Sequence, residues 1–450
     1  MITNPRNKKM KTISLVGILL MVLMCVAEVT AQPDGSQQNV IGRAGTFAIV
    51  GAKIVTVTGP VIENGTVVIS NGKITAVGRS VSIPSNATRI NGRGLSVYPG
   101  MIDAGTSLGL SEIPQGAAGS VDVAEVGDFN PNAKAITAIH PHSTHVNVTR
   151  INGVTSVLSS PTGGVISGQS AVVNLWGATQ KDMALVPEFG LVINFPRVST
   201  GGGFGQQPVD FNEAVRRRDQ RLDDLKKLFA QAESYRRVQE AYSKDKSLPA
   251  PKVDLKMEAL QPYVKGERPV MFTVERERDI KGLVKFVEET KLKAIILGGQ
   301  EAWKVADDLK RLNIAVIFNN IYRLPVQDDD AYDYLFEAPL KMQKAGITFA
   351  ISSGDSGANV RDLPYHAGLA SAFGLDKAEA LKAVTIYPAK ILGVDDKVGS
   401  IEVGKIANLV VTTGDILEAR TVVRDLFING RRIPLTSRHT ELYEQFKDRK

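Results

Sequence analysis

Short apolar runs separated by turn residues occupy both ends of the chain, beginning near Phe47 and again near Leu409. Runs of this length that are rich in Val, Ile and Thr are typical of β-strands. Three Asn-Gly pairs are candidate hairpin turns, because both residues tolerate the positive φ of a tight turn. The pattern predicts one small sheet domain built from both chain ends. The runs are Ala48–Thr58, Gly65–Ser70, Lys73–Gly78, Leu409–Thr413, Thr421–Arg424 and Leu426–Ile428, and the pairs are Asn64-Gly65, Asn71-Gly72 and Asn429-Gly430.

The middle of the chain alternates apolar runs with helical stretches. Each run has roughly 5–8 residues, the length expected of strands that are buried on both faces. Eight such runs with helical crossovers favour an α/β fold with a TIM-like (β/α)8 barrel over an open doubly wound sheet. The predicted strands are Ser96–Asp103, Gly153–Ser159, Ala171–Trp176, Gly190–Phe195, Pro269–Val274, Lys293–Leu297, Ile314–Asn319 and Ile347–Ser352.

These patterns divide the chain into a core and its flanking parts. We predict a composite β-sandwich domain from residues 46–95 and 400–436, wrapped around a barrel at 96–399. A polar linker at 32–45 precedes this domain, and a charged tail at 437–450 follows it.

Residues Asp210 to Lys246 are dense in alternating charge, with apolar side chains at helical spacing. The pattern predicts an amphipathic helix with a solvated charged face. A helix that binds a partner protein is the alternative interpretation.

The N-terminus has the pattern of a signal peptide over residues 1–31. Basic residues precede the apolar stretch Ile13–Ala27, and Val29 and Ala31 supply the small residues of a cleavage site. We therefore expect an exported protein, periplasmic or extracellular. The apolar run is short for a membrane span, so we expect none in the mature chain, although an uncleaved anchor is the alternative.

Composition excludes some classes of function. The chain has 450 residues, 43% hydrophobic and 22% charged, which is ordinary globular composition. The formal charge of +7 is partly carried by the N-terminal segment, and no basic run is interleaved with aromatic residues, so we expect no nucleic-acid partner. The single cysteine is Cys25. Cleavage after Ala31 would leave no thiolate for catalysis or metal binding.

Three stretches carry a family resemblance. Residues 97–104 (VYPGMIDA), 385–389 (TIYPA) and 399–405 (GSIEVGK) occur in that order along the chain. From about Phe47 to Pro434, the sequence resembles the amidohydrolase superfamily, especially its imidazolonepropionase-like and dihydroorotase-like branches. The resemblance implies a barrel with a composite β domain. It also implies hydrolysis in which divalent metal ions activate a bound water.

The resemblance also implies a set of metal ligands. The family typically has a His-x-His pair on the first strand, one His each on the fifth and sixth strands, and an Asp on the eighth. Only Asp355 remains here, and a further departure is Asn408, where the family commonly has Asp. Glycine offers no ligand, and neutral oxygens bind Zn²⁺ weakly compared with imidazole, so we expect no metal cofactor. The vacant ligand positions are Gly105, Ser107, Thr273 and Gln300.

Histidines elsewhere in the chain could supply replacement ligands for one divalent ion such as Zn²⁺. His140, His142 and His145 cluster after the first strand, where Ser143 could cap a helix, and His366 begins a helix after the eighth. In a barrel this places all four near the mouth. The alternative is that these histidines make local hydrogen bonds or serve capping and surface roles.

The leading hypothesis is an exported homologue that is catalytically degenerate. It would bind a small molecule or stabilise a partner, as a homo-oligomer or as a hetero-oligomer with an active homologue. The alternative is a metal-dependent hydrolase of non-peptide carbon–nitrogen bonds in cyclic amides or dipeptide-like substrates. Asp355 would then be catalytic, together with His140, His142 or His145.

Overall fold

A computed structural model describes residues 41–112, 121–201, 208–319, 321–325, 330–354 and 357–449. The predicted signal peptide, most of the predicted linker and Asp355 lie outside these ranges. Within them, no helix is both long and apolar enough to cross a lipid bilayer.

The two chain ends form one eight-stranded sheet, the outer sheet, as the paired β patterns predict. Strand β5 joins the two ends, because it pairs in parallel with β1 and antiparallel with β16. Phe47 and Phe427, one from each end, pack edge to face with ring centroids 5.3 Å apart. The strands are β1 (Phe47–Ile54), β2 (Ile62–Ser70), β3 (Lys73–Gly78), β4 (Thr88–Asn91), β5 (Ser96–Pro99), β16 (Leu409–Thr412), β17 (Val423–Ile428) and β18 (Arg431–Ile433).

Two of the three Asn-Gly pairs make hairpin turns. Asn71-Gly72 connects β2 to β3 and Asn429-Gly430 connects β17 to β18, with positive φ at all four residues. The prediction for Asn64-Gly65 is wrong, because this pair lies inside β2. There the pairing with β1 shifts register, and a Cβ added to Gly65 would lie 2.4 Å from Ile54 Cδ1. Gly65 therefore permits a close approach of two strands within a bulge.

The remaining strands form the barrel. They fall into a four-stranded sheet, β10-β9-β7-β6, and a six-stranded sheet, β15-β14-β13-β12-β11-β8. Strands β8 and β9 are consecutive parts of one extended segment, so this segment joins the two sheets. The strands are β6 (Met101–Thr106), β7 (Val154–Ser159), β8 (Ile166–Gln169), β9 (Ala171–Asn174), β10 (Ala184–Val186), β11 (Leu191–Asn194), β12 (Val270–Val274), β13 (Ala294–Gly298), β14 (Ala315–Asn319) and β15 (Phe349–Ser352).

The third barrel position departs from the predicted strand–helix alternation. The joined segment β8–β9 runs antiparallel to both β7 and β11. Residues 160–165 alone connect β7 to β8. A parallel crossover needs about a dozen residues, so this loop can only reverse the chain direction.

The first predicted strand is divided between two sheets. Its first half is β5 of the outer sheet, and its second half begins β6 of the barrel. Gly100 lies at the division, where an added Cβ would lie 2.1 Å from Thr155 Oγ1. A glycine is needed here because the chain passes directly over β7.

Helices cover the outside of the barrel and lie in its connections. The predicted charged helix is α4, capped by Asp210, with Leu225 and Phe229 on its buried face and most other side chains in solvent. The helices are α1 (Ala135–Ala138), α2 (Thr144–Arg150), α3 (Gln180–Met183), α4 (Phe211–Lys244), α5 (Leu255–Val264), α6 (Glu277–Thr290), α7 (Ala306–Arg311), α8 (Ala338–Lys344), α9 (Leu363–Ala372), α10 (Lys377–Lys382), α11 (Ile386–Ile391) and α12 (Arg438–Phe446), with 3-10 turns at Ala302–Val305 and Val360–Asp362.

A buried amide network connects the barrel to the outer sheet. Asn408 is 4% exposed and donates from Nδ2 to Asn174 Oδ1 at 2.9 Å. The same Asn174 oxygen accepts from Ser156 Oγ at 2.8 Å, and Asn408 Oδ1 accepts from the Asn429 amide at 3.0 Å. Each group thus has a complementary partner, and the amide of Asn408 serves as donor and acceptor at once.

Replacing Asn408→Asp should destabilise the protein by roughly 2–3 kcal/mol at neutral pH, because it exchanges a buried donor for an acceptor that faces Asn174 Oδ1. Urea unfolding measures this loss. The exposed Asn132 provides the matched control, since Asn132→Asp should leave the midpoint unchanged. Equal stability of the Asn408→Asp and Asn132→Asp variants would contradict the role given to the network.

Candidate functional site

The carboxyl ends of the parallel barrel strands meet at one edge of the barrel. We call this edge the barrel mouth, formed by the ends of β6, β7 and β11–β15 and the residues that follow them. Three of the four vacant ligand positions lie on or next to strands there: Gly105 in β6, Ser107 just after it and Thr273 in β12. Gln300, buried at 3% exposure, lies two residues past the end of β13.

A buried carboxyl group holds the first barrel strand to the eighth. Ser352 Oγ donates to Asp103 Oδ1 at 2.5 Å, and Ser353 Oγ donates to Oδ2. The backbone amides of Ser353 and Gly105 donate to the same carboxyl at 3.2 and 3.1 Å. We call this group of four hydrogen bonds the Asp103 clamp. It spans β6 and β15, which form no ladder with each other in the described ranges.

Burial dominates the ionisation of Asp103. The residue has no exposed surface, and desolvation raises its pKa above the usual range of Asp. The four donors of the Asp103 clamp oppose this effect without cancelling it. Asp103 lies in the stretch that resembles the family, but no sequence signal indicated its partners, which are about 250 residues further along the chain.

Ser352 occupies the space in front of Gly105. A Cβ added to Gly105 would lie 2.9 Å from Ser352 Oγ and 3.5 Å from Ser352 Cβ. Any side chain at position 105 would therefore displace a hydroxyl that is already bound to Asp103. The first ligand position of the family is filled here by the Asp103 clamp.

A second carboxyl fills the space beside Gly298 at the end of β13. A Cβ at Gly298 would lie 2.5–2.7 Å from the Glu275 carboxyl atoms. Burial raises the pKa of Glu275, while the positive charges of Arg323 and Arg197 lower it. Arg323 Nη1 lies 3.1 Å from Glu275 Oε1. Sequence reasoning missed this group, although Glu275 continues the inward alternation of Met271 and Thr273 along β12.

The histidine candidates separate into different environments. His145 follows Ser143, which caps α2 as predicted, and His145 Nε2 lies 3.2 Å from the Glu112 carbonyl oxygen. A Cβ at Gly357 would lie 3.7 Å from His145 Cδ2, so this ring borders the loop after β15. His140 is exposed, and its ring centroid is 6.4 Å from that of His142.

His366 belongs to a different helix, α9. It is 3% exposed within α9, and its ring packs edge to face on Tyr322 with centroids 4.6 Å apart. The surface role, one of the alternatives for His366, is wrong because the imidazole is buried. The aromatic contact orients the ring.

The described residues do not fit a Zn²⁺ centre. Within the described ranges, no three His, Cys, Asp or Glu side chains come together as a metal-binding group. The donors at the family positions are two hydroxyls and one amide, whereas Zn²⁺ prefers imidazole, thiolate and carboxylate. Asp355, the one acidic residue expected at a family position, lies outside these ranges.

Gly105→Ala should destabilise the protein by about 1–3 kcal/mol, because the new methyl group overpacks against Ser352. A double-mutant cycle with Ser352→Ala should show favourable coupling of about 1 kcal/mol, since removing Oγ relieves the overlap. Gly282→Ala is the control, because its Cβ would lie 3.6 Å from Phe195 in ordinary contact. Strict additivity of the two changes would contradict the steric account.

Sequence comparisons also support the resemblance. The model of the amidohydrolase family matches residues 336–433, which include β15 and the last three outer-sheet strands. Amidohydrolase tasK of Hapsidospora irregularis is 23% identical over 394 residues, which cover 81% of this chain and 39% of that protein. N-acetylglucosamine-6-phosphate deacetylase of Haemophilus influenzae is 50% identical over 46 residues, 10% of this chain and 12% of that enzyme. The matches thus span less than half the length of either relative.

Structural comparisons cover most of the chain. An amidohydrolase from Thermotoga maritima superposes with a TM-score of 0.76 and 24% identity, over 86% of this chain and 99% of that one. A prolidase in complex with N-methylphosphonate-L-proline superposes with a TM-score of 0.52 and 16% identity, over 86% of this chain and 99% of that one. Identities this low establish a shared fold and not a shared chemistry. With the match of the amidohydrolase family model to residues 336–433, they confirm an α/β fold like that of amidohydrolases, with a TIM-like barrel and an added domain.

Proposed function

We propose that this protein is an exported, catalytically degenerate amidohydrolase that binds a small polar ligand at the barrel mouth. The observation that carries the proposal is Ser352 filling the space in front of Gly105. A metal centre needs that space for a ligand side chain. Here the same space holds a hydroxyl that is bound to a buried carboxyl group.

The polar groups of the barrel mouth support a ligand with hydrogen-bonding groups. Ser160 Oγ follows β7 and Asn319 Oδ1 ends β14, and both atoms are buried without a hydrogen-bond partner in the described part of the chain. Buried polar atoms are normally paired, since an unpaired one costs about 1–3 kcal/mol. A ligand that presents N–H or O–H donors would satisfy both.

The alternative proposal is a hydrolase that holds one Zn²⁺ with Asp355 and a histidine from the cluster. The position of His145 beside the loop after β15 favours this histidine over His140, which is exposed. The bound ion would polarise an amide carbonyl and activate a water. Loss of bound metal in a His145→Ala variant would support this alternative.

Zinc loading followed by metal analysis of the full chain tests the proposal. We expect well under one equivalent of Zn²⁺, and no turnover of cyclic amides or dipeptides that differs between the native chain and Asp355→Asn. The exposed Asp396 provides the matched control as Asp396→Asn. Protein recovered from its own host should begin at Gln32, as cleavage after Ala31 predicts.

Stoichiometric zinc, together with turnover that Asp355→Asn abolishes and Asp396→Asn preserves, would refute the proposal that the protein is catalytically degenerate. An N-terminus that still contains Met1 in protein released from the cell would refute cleavage without affecting the barrel-mouth argument.

A further inference from the structure

A cavity lies at the opposite end of the barrel from its mouth. It has a volume of about 590 Å³ and opens where β11–β15 begin. Cavities that hold small molecules typically measure about 300–1,000 Å³. Catalysis in this fold takes place at the carboxyl ends of the strands, so a cavity at the amino ends has no role in the family's chemistry. We call it the N-terminal cavity.

The walls of the N-terminal cavity are largely apolar. Phe189, Ile295 and Leu392 line it and belong to the buried cluster that fills the barrel. The cavity is closed on one side by the end of α11. The other apolar residues of the lining are Val186, Pro187, Pro269, Ala294, Ala315 and Ile391.

The charged residues of the lining leave an unbalanced positive charge. Glu188 is bound by two cations, at 2.6 Å from Arg268 and 2.5 Å from Lys134. Lys293 and Lys390 also line the cavity, and neither forms an ion pair with any described residue. Glu267 is the one other carboxylate of the lining. Two lysines without ion pairs beside apolar walls match an anion that carries an apolar chain.

We propose that the N-terminal cavity binds a linear aliphatic monocarboxylate. The aliphatic chain of this ligand lies against Phe189, Ile295 and Leu392, and its carboxylate lies between Lys293 and Lys390. Apolar burial supplies the affinity, and the two ammonium groups select the anionic head. This site is independent of the proposed function, because it shares no residue with the barrel mouth.

Chain length and head-group charge give separate predictions. Each further buried methylene contributes about 0.8 kcal/mol, which corresponds to roughly fourfold tighter binding. Decanoate and dodecanoate should therefore bind with affinities that differ by roughly 15-fold while both chains fit. Dodecanol, which keeps the chain and lacks the charge, should bind more weakly than dodecanoate.

Calorimetric titration of the full chain with dodecanoate below its micellar concentration tests the proposal. Lys293→Gln together with Lys390→Gln should weaken binding about tenfold, as two exposed charge contacts imply. Lys285→Gln is the matched control, because Lys285 is exposed on α6, away from the cavity. Ala315→Leu, which fills the cavity from the start of β14, should also weaken binding.

Thermal unfolding of each variant keeps the test interpretable, since the double lysine variant, Lys285→Gln and Ala315→Leu should all melt near the native temperature. Unchanged dodecanoate affinity in both the double lysine variant and Ala315→Leu would overturn the proposal. Binding to anionic phospholipid vesicles without binding of free dodecanoate would overturn it as well, because it would assign the lysines to a membrane surface.

Discussion

The hydrogen-bonded carboxyl group of Asp103 is the interaction on which the arrangement of the barrel mouth depends. It connects β6 to β15, the first and last barrel strands, across the point where the described ranges show no ladder between them. Four donors converge on one fully buried group. The same hydrogen bonds also position Ser353 and Gly354, the described residues that directly follow β15.

The Asp103 clamp and a metal centre would compete for the same space. A metal centre in this fold requires ligand side chains that project from the strand ends toward a shared ion. Here a hydroxyl of β15 lies where a side chain of Gly105 would extend, and the Glu275 carboxyl lies where one of Gly298 would extend. Both glycines accommodate a neighbour's polar group. The barrel mouth is therefore held by hydrogen bonds between its own residues, and this favours a binding role over metal-assisted hydrolysis.

Local patterns predicted most of the fold. Apolar runs placed the strands, and Asn71-Gly72 placed a hairpin, because strand burial and turn geometry depend on neighbouring residues. The antiparallel direction of β8–β9 was not predicted, because an apolar run does not encode the direction of its strand. The short loop before β8 determines that direction. Asn64-Gly65 misled for a similar reason, since a bulge and a hairpin turn both tolerate positive φ. The resemblance was enough to identify the vacant ligand positions. Contacts such as that of Ser352 with Gly105 join distant parts of the chain, so local sequence patterns could not predict them.

The pH dependence of the unfolding free energy, compared between the native chain and Asp103→Asn, tests the central claim most directly. A buried acid with a raised pKa binds its proton more tightly in the folded state. Its contribution is therefore fully present below the unfolded Asp pKa of about 3.9 and is lost as pH rises through the folded value. The stability of the native chain relative to Asp103→Asn should fall as pH rises above about 4. A relative stability that stays constant or increases over this range would contradict the account.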